Sequence, residues 1–169
     1  ALSATIMGVA FDAGVPMIEA IGLALVTGTV CGLINGIILV KFPELSSMIV
    51  TLATQIIFRG IAQIILETNS VGGFPSWFTK IAAGKIDEMV PYALIFVIFE
   101  ALFFAYLLHY TKFGRRCYAM GNSTTVAKFS GVKTGKIKVI VYTMTGLLSA
   151  VAAIYLASKM SSVRPDVAN

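Results

Sequence analysis

Charged residues are scarce in this chain, and their scarcity excludes an ordinary soluble domain. Of the 169 residues only 12% are Asp, Glu, Lys or Arg, while 57% are hydrophobic. Soluble domains typically carry about 25% charged residues. The mean hydropathy is +0.88, so the composition predicts an integral membrane protein.

Residues that could bind a metal or perform catalysis are also few. The chain has two cysteines and one histidine. Cys31 lies in an apolar run and Cys117 in a basic loop, so neither a disulfide between them nor a metal site is expected. The sequence contains no Ser/His/Asp set, no paired carboxylate cluster and no phosphate-cradling GxxxxGKS/T motif. We therefore expect no catalytic residue, no metal and no cofactor bound by this chain, and we expect that it is not an enzyme.

Apolar runs long enough to cross a bilayer account for most of the chain. A transmembrane helix needs about 20 apolar residues, and long runs without strand alternation indicate helices. The predicted fold is therefore an all-α, polytopic transmembrane helix bundle forming a single domain over 1–169. A shorter apolar segment, 1–11, is expected to be a partial helix that begins upstream, which makes the chain an internal fragment. The four predicted spans are about 17–40, 45–66, 91–110 and 139–158.

The connection between the last two spans, residues 111–138, is basic. Its stretch 111–136 holds six lysines and arginines and no acidic residue. Short positive loops stay in the cytoplasm, so this loop is expected inside and the loop 67–89 outside. The net charge of +5 could indicate nucleic acid, but topology explains these residues and no nucleic-acid partner is expected.

A short helix is predicted within this basic loop. Asn122 to Thr124 is a typical helix start, and Ser130 with Gly131 ends the segment. Its length is about two turns, suited to a cleft in a cytoplasmic protein; a solvated loop without a partner is the alternative. Its apolar face consists of Val126, Ala127 and Phe129. Sharp chain reversals are expected at three glycines: Gly114, Gly121 and Gly131.

Small residues recur every four positions along the first long span. Four-residue spacing places them on one helix face, which allows another backbone to approach closely. The pattern predicts helix packing there, and Gly146 with Ala150 repeats it less strongly in the last span. The ridge consists of Ala20, Ala24, Gly28, Gly32 and Gly36.

Polar residues recur with the same spacing in the second span: Thr51, Gln55, Arg59 and Gln63. An arginine in lipid costs at least ~2.5 kcal/mol, so Arg59 must face protein, water or a headgroup. Packing or snorkelling is one interpretation, and a polar solute pathway is the other. Two further polar residues lie inside spans: Asn35 is expected to bond a neighbouring helix, and Glu100 needs a polar partner.

The basic loop also resembles a known family. Gly114-Arg115, Ala119-Met-Gly121, Ala127 and Ser130-Gly131-Val132 match the pattern of the permeases of bacterial simple-sugar ATP-binding-cassette (ABC) importers. That family includes the ribose, xylose, galactoside, rhamnose and autoinducer-2 permeases. The resemblance covers essentially the whole chain, and Gly72-Gly-Phe-Pro75 is similar to the autoinducer-2 and rhamnose-type branches. Further matching stretches are 32–36, 49–54 with Arg59-Gly60, and 161–165.

This resemblance implies a fragment of a permease with about ten helices in the bacterial cytoplasmic (inner) membrane. Such permeases pair as homo- or heterodimers, receive sugar from a periplasmic or extracellular binding protein, and are driven by a separate cytoplasmic ATPase that uses the ATP. The solute pathway would receive Thr51, Gln55 and Asn35, with Arg59 from the same stripe. The residues carried over as the coupling element are Gly114, Arg115, Gly121, Asn122, Ala127, Ser130 and Gly131.

Other functions remain open at this level. An ABC permease could carry a different solute, such as a branched-chain amino acid or a nucleoside. An ion-coupled carrier would use Glu100 and Arg59 as coupling groups, and its uptake would collapse with an uncoupler while ATP remained. A structural scaffold would give no substrate-dependent ATPase stimulation.

Overall fold

The computed structural model describes residues 1–66, 71–72, 74–75, 78, 85–86, 90–160 and 162–163. Within these residues the predicted all-α fold is confirmed. The helices are α1 Leu2–Asp12, α2 Met17–Lys41, α3 Ser47–Leu66, α4 Tyr92–Tyr110, α5 Lys112–Asn122, α6 Thr124–Phe129 and α7 Thr134–Met160. Four two-residue strands lie outside them: β1 Val71–Gly72, β2 Lys85–Ile86, β3 Val90–Pro91 and β4 Ser162–Val163. β1 pairs with β4 and β2 with β3, both antiparallel.

In the part of the chain that the structure describes, three helices, α2, α3 and α7, are long and apolar enough to cross a membrane. α4 joins α5 through a bend of 79°, and these two helices pass the same test of length and hydropathy only when taken together. Most bounds fall within two residues of the predicted ones, but α7 begins at Thr134, five residues before the expected start at 139. Lys136 and Lys138 lower the hydropathy there, yet lysines at a span end can snorkel to the interface without ending the helix.

The small-residue ridge of α2 lies against α7, and the two helices run antiparallel. All five ridge residues are buried. A Cβ atom added to Gly28 would lie 2.8 Å from the Gly146 carbonyl oxygen, and one added to Gly36 would lie 2.9 Å from Val139 Cα. Real Cβ atoms essentially never come closer than 3.0 Å to such atoms. The absence of side chains on this face is therefore what lets the two backbones meet.

An apolar cluster closes the end of the bundle where α1, α3 and α7 finish. It buries Met7, Met17, Ala20, Ala24, Leu66, Phe74, Phe78 and Ala157. The Phe74 ring centroid lies 5.4 Å from that of Phe11 and 5.5 Å from that of Phe78. Ser158 Oγ donates a 2.6 Å hydrogen bond to the Phe78 carbonyl. Parts of the predicted external loop 67–89 thus fold back onto the helix ends.

The basic segment 111–138 is mostly helical, which corrects its prediction as a loop around one short helix. α5 begins because Thr111 caps it: the Thr111 hydroxyl oxygen accepts a 3.2 Å hydrogen bond from Gly114 N. No proline or β-branched residue interrupts 112–122, so the helix continues through its glycines. The predicted reversals at Gly114 and Gly121 are wrong, since both lie inside α5. Gly131, with φ +75°, does reverse the chain.

α4 buries little of its surface. Its main contacts are with α5 and β3, and its described side chains are mostly exposed, among them Leu94, Phe96, Phe99, Phe103 and Tyr106. A helix that is apolar on all sides belongs in lipid or against further transmembrane helices. Glu100 is half-buried on this helix.

Candidate functional site

A cavity of about 480 Å³ lies between α1, α2, α3 and α7. All four residues that the sequence suggested for a solute pathway line it: Asn35, Thr51, Gln55 and Arg59. α3 supplies three of them because residues four apart share one helix face. Gln63, the next member of that stripe, is exposed and does not line the cavity. The structure thus brings Asn35 of α2 together with the part of the polar stripe nearest the start of α3.

The threonines that line the cavity donate their hydroxyl hydrogen bonds to backbone carbonyls of their own helices. Thr51 Oγ1 donates to the Ser47 and Met48 carbonyls at 3.0 and 3.1 Å. Thr54 Oγ1 donates to Val50 O at 2.9 Å, and Thr145 Oγ1 to Val141 O at 2.9 Å. A hydroxyl whose hydrogen is engaged can still accept hydrogen bonds. These side chains therefore present acceptors to the cavity.

Asn35 was expected to form a hydrogen bond with a neighbouring helix, and its amide oxygen does not. Its Oδ1 is buried and has no hydrogen-bond partner among the described residues. A buried acceptor without a partner costs about 1–3 kcal/mol.

Charge in the cavity comes from Arg59 on α3. No aspartate or glutamate stands among the described residues that line it. Arg59 is half-buried and interacts with other groups of the chain. A cationic solute would find no opposing charge here, whereas a neutral polar solute would meet amides and hydroxyls.

Sequence reasoning missed the contribution of α7 to this cavity. Tyr142, Thr145 and Ser149 line it, and the Tyr142 hydroxyl is hydrogen-bonded to Ser47 Oγ at the start of α3. Their spacing of three and four residues is typical of one helix face and could have revealed them.

The coupling residues inferred from the resemblance divide into buried and exposed positions. Ala127 is 2% exposed and Gly114 is buried. A side chain on Gly114 would overlap the Leu108 backbone at the end of α4, so this glycine permits the α4–α5 bend. The exposed members are Arg115, Gly121, Asn122, Ser130 and Gly131.

Two apolar side chains of α6 point away from the chain. Phe129 is 90% exposed and Val126 is 63% exposed. Ser123 caps this helix by accepting a hydrogen bond from Val126 N at 3.3 Å. The capped turn holds both side chains in place, so α6 offers a small apolar surface between exposed basic residues.

No group of three or more His, Cys, Asp or Glu side chains comes together in the part of the chain that the structure describes. Cys117 is half-buried on α5, and its burial raises the pKa of the thiol above its usual value. The thiol is therefore protonated, and poorly nucleophilic, at neutral pH.

Comparison with known proteins identifies one family. The family model described as the permease component of branched-chain amino acid transport systems matches residues 1–169. The autoinducer 2 import system permease protein LsrD of Yersinia pseudotuberculosis is 36% identical over 98% of this chain and 51% of its own length. LsrD of Salmonella typhimurium is 35% identical over the same shares. The chain thus spans about half the length of these curated relatives. No solved structure gives a significant match.

Proposed function

This chain belongs to the family of branched-chain amino acid transport system permease components, and we propose that it is part of the membrane-spanning subunit of an ABC importer for a simple sugar or an autoinducer-2-like solute. The resemblance to the sugar-type permeases is confirmed by the relatives. The chain is a multi-pass protein of the inner membrane and a transport component rather than an enzyme.

The cavity between α2, α3 and α7 carries the proposal for a neutral, hydroxyl-rich solute. Its lining combines amides, threonine and serine hydroxyls, one aromatic hydroxyl and the guanidinium group of Arg59. A zwitterionic amino acid would place its ammonium group in a lining without acidic residues among those described, where it would lose its hydration without gaining a counter-charge. A pentose or hexose needs hydrogen bonds alone.

ATP would be hydrolysed by a separate cytoplasmic subunit that docks on α6 and its surroundings. The exposed Phe129 and Val126 provide an apolar anchor, and the neighbouring lysines and arginines provide long-range attraction. A binding protein outside would deliver the solute, and a second permease subunit, identical or not, would complete the pathway. Glu100 lies on α4, away from the cavity lining, so it has no role in this proposal.

The test uses the full-length permease with its candidate ATPase subunit in proteoliposomes. Phe129→Ala should abolish co-purification of the ATPase and ATP-driven uptake, because it removes the most exposed ring of α6. Phe129 is preferable to Ala127, whose substitution would disturb internal packing. Phe42→Ala, which removes a ring 51% exposed in the turn between α2 and α3, is the matched control and should retain both properties.

Three results would count against the proposal. Equal capture of the ATPase by the native and Phe129→Ala proteins would move the docking site away from α6. Uptake that ceases with an uncoupler while ATP is present would favour the ion-coupled carrier. Solute-independent ATPase activity with no uptake would favour a scaffold.

A further inference from the structure

A groove of about 660 Å³ lies where the end of α2 meets the start of α7. It shares no lining residue with the cavity described above. We propose that this groove binds an anionic phospholipid of the cytoplasmic leaflet, with an acyl chain along its apolar residues and the phosphate group at Lys133 and Lys136. The inference goes beyond the proposed transport function, because it concerns the lipid around the protein and does not depend on the solute.

The apolar part of the groove lies at the edge of two predicted spans. Val40 is the last residue of the predicted span 17–40, and Val139 is the first residue of the predicted span 139–158. With Ile140 they supply apolar side chains to the groove, and Val40 and Ile140 are 39% and 43% exposed. The edge of a span is the level at which the hydrocarbon core of the bilayer gives way to the headgroups. An acyl chain can therefore reach these side chains from the membrane.

The basic part of the groove lies further toward the cytoplasm. Lys133 and Lys136 both line the groove and are exposed. Lys133 and Ile140 are seven residues apart, which corresponds to about 10 Å along a helix axis. The groove therefore extends from the predicted edge of the hydrocarbon core to the predicted headgroup level, and a phospholipid has its acyl chains and its phosphate in the same order.

The charge around the groove is of one sign. No aspartate or glutamate lines it in the described part of the chain, and the sequence has none between 101 and 160. Glu44, in the turn after α2, is not in the lining. Lysines next to an apolar groove on the cytoplasmic side attract anionic headgroups but give no advantage to a zwitterionic one. This complementarity is what favours an anionic lipid as the occupant.

The backbone around the groove is held in place before any lipid binds. Val132 N donates a 3.0 Å hydrogen bond to the Ala127 carbonyl, and Ile137 N donates a 3.3 Å hydrogen bond to the Lys133 carbonyl. A Cβ atom added to Gly135 would stand 3.2 Å from Val40 Cγ1. A larger residue at position 135 would therefore narrow the groove beside Val40. The start of α7 thus presents its lysines from a fixed backbone, which lowers the entropic cost of binding.

The experiment measures lipid binding to the full-length permease, purified in detergent and freed of endogenous lipid. Native mass spectrometry titrations give the dissociation constants of dioleoylphosphatidylglycerol, which is anionic, and dioleoylphosphatidylcholine, which is zwitterionic with the same acyl chains. No ATP, ATPase or solute is needed, so the result is independent of the proposed transport function. Inorganic phosphate and the candidate ATPase subunit are then added separately as competitors.

The native permease should bind phosphatidylglycerol about tenfold more tightly than phosphatidylcholine. Lys133→Gln combined with Lys136→Gln should abolish this preference. Lys112→Gln combined with Lys128→Gln removes the same charge from exposed positions outside the groove and is the matched control, for which the native preference is expected. Circular dichroism verifies that each variant is folded.

A second pair of variants tests whether an acyl chain occupies the apolar part. Ile140→Trp fills this part of the groove and should weaken the binding of phosphatidylglycerol about fivefold, because less apolar lipid surface is then buried. Val141→Trp is the control, since Val141 is exposed on α7 but does not line the groove. It should bind the lipid as the native protein does.

Five results would overturn the inference. Equal affinity of the native permease for both lipids would remove headgroup recognition, and an equal loss in the two lysine variants would assign the preference to the whole basic segment. Unchanged binding by Ile140→Trp would exclude an acyl chain from the groove. Displacement of the lipid by an equal concentration of inorganic phosphate would indicate a site for free phosphate. Displacement by the ATPase subunit would assign the groove to that protein.

Discussion

Gly32 of α2 and Gly146 of α7 meet backbone to backbone. A Cβ atom on Gly32 would stand 2.9 Å from Gly146 Cα, and a Cβ atom on Gly146 would stand 2.7 Å from Gly32 Cα. These two glycines lie in the lining of the cavity that also contains Asn35 and Tyr142. The contact that joins the helices therefore also sets the width of the proposed solute pathway.

Gly32→Val should separate α2 from α7 and destabilise the folded protein by about 1–3 kcal/mol, because the added side chain overlaps backbone that cannot move aside. Denaturation in detergent, followed by circular dichroism, measures the change. Gly22→Val is the matched control on the same helix, since no atom lies within 4 Å of a Cβ at Gly22. An equal loss of stability in both variants would show that helix propensity, rather than the contact, is responsible.

The hydrogen bond between Tyr142 and Ser47 should tie the start of α3 to α7. In a double-mutant cycle of Tyr142→Phe and Ser47→Ala, we expect a coupling free energy of about 0.5–1.5 kcal/mol, the net value of one neutral hydrogen bond. Unfolding free energies of the four proteins measure it. The same cycle with Tyr155→Phe, further along α7, should be additive. Additivity for Tyr142 as well would mean that the bond contributes nothing to stability.

Gln55→Leu should raise the half-saturating solute concentration about fivefold, since it removes a hydrogen-bonding amide from the cavity while adding an apolar surface of similar size. Uptake kinetics of the full-length transporter provide the measurement, and the amount of assembled protein should stay at the native level. Gln63→Leu, outside the cavity, should leave the kinetics unchanged. If Gln55→Leu has native kinetics, Gln55 does not contact the solute.

Cys117 should react with a membrane-impermeant maleimide only from the cytoplasmic side, because we expect the basic segment to stay inside. The thiolate is the nucleophile, and burial raises the pKa of this thiol. Labelling should therefore be slow at neutral pH and accelerate about tenfold per pH unit as the pH rises toward that pKa.

The labelling experiment uses a Cys31→Ser background and sealed vesicles of both orientations. Ala13→Cys, exposed in the turn between α1 and α2, should react from the opposite side and serves as the control. Labelling of Cys117 from the outer side would reverse the proposed topology. A labelling rate that is already maximal at neutral pH would contradict the raised pKa.

Much of the candidate site follows from helical periodicity. Thr51, Gln55 and Arg59 share one face of α3 because they are four residues apart, and the structure places that face on a cavity. The start of α6 was predictable from Ser123, since a capping hydroxyl acts on the backbone of its own helix. Such features depend on residues that are close in sequence, so they can be recognised without a three-dimensional structure.

Other features depended on contacts between distant segments. Ala127 and Phe129 both belong to the apolar face that the sequence predicts for the short helix. In the structure Ala127 is buried, whereas Phe129 is almost fully exposed. Gly114 suggested a chain reversal but serves a close approach between α4 and α5. The early start of α7 was hidden by its lysines, because hydropathy reports the lipid-facing part of a helix rather than its full length.

A bundle of transmembrane helices, a face of small residues on α2 and a face of polar residues on α3 can all be inferred from the amino-acid sequence. Those properties follow from hydropathy and from the 3.6-residue helical repeat. That these two faces and α7 enclose one cavity, and that Asn35 Oδ1 is buried without a hydrogen-bond partner among the described residues, depends on how the helices pack. The environment of a side chain depends on which helices pack beside it, and that packing brings together residues as far apart in sequence as Ser47 and Tyr142.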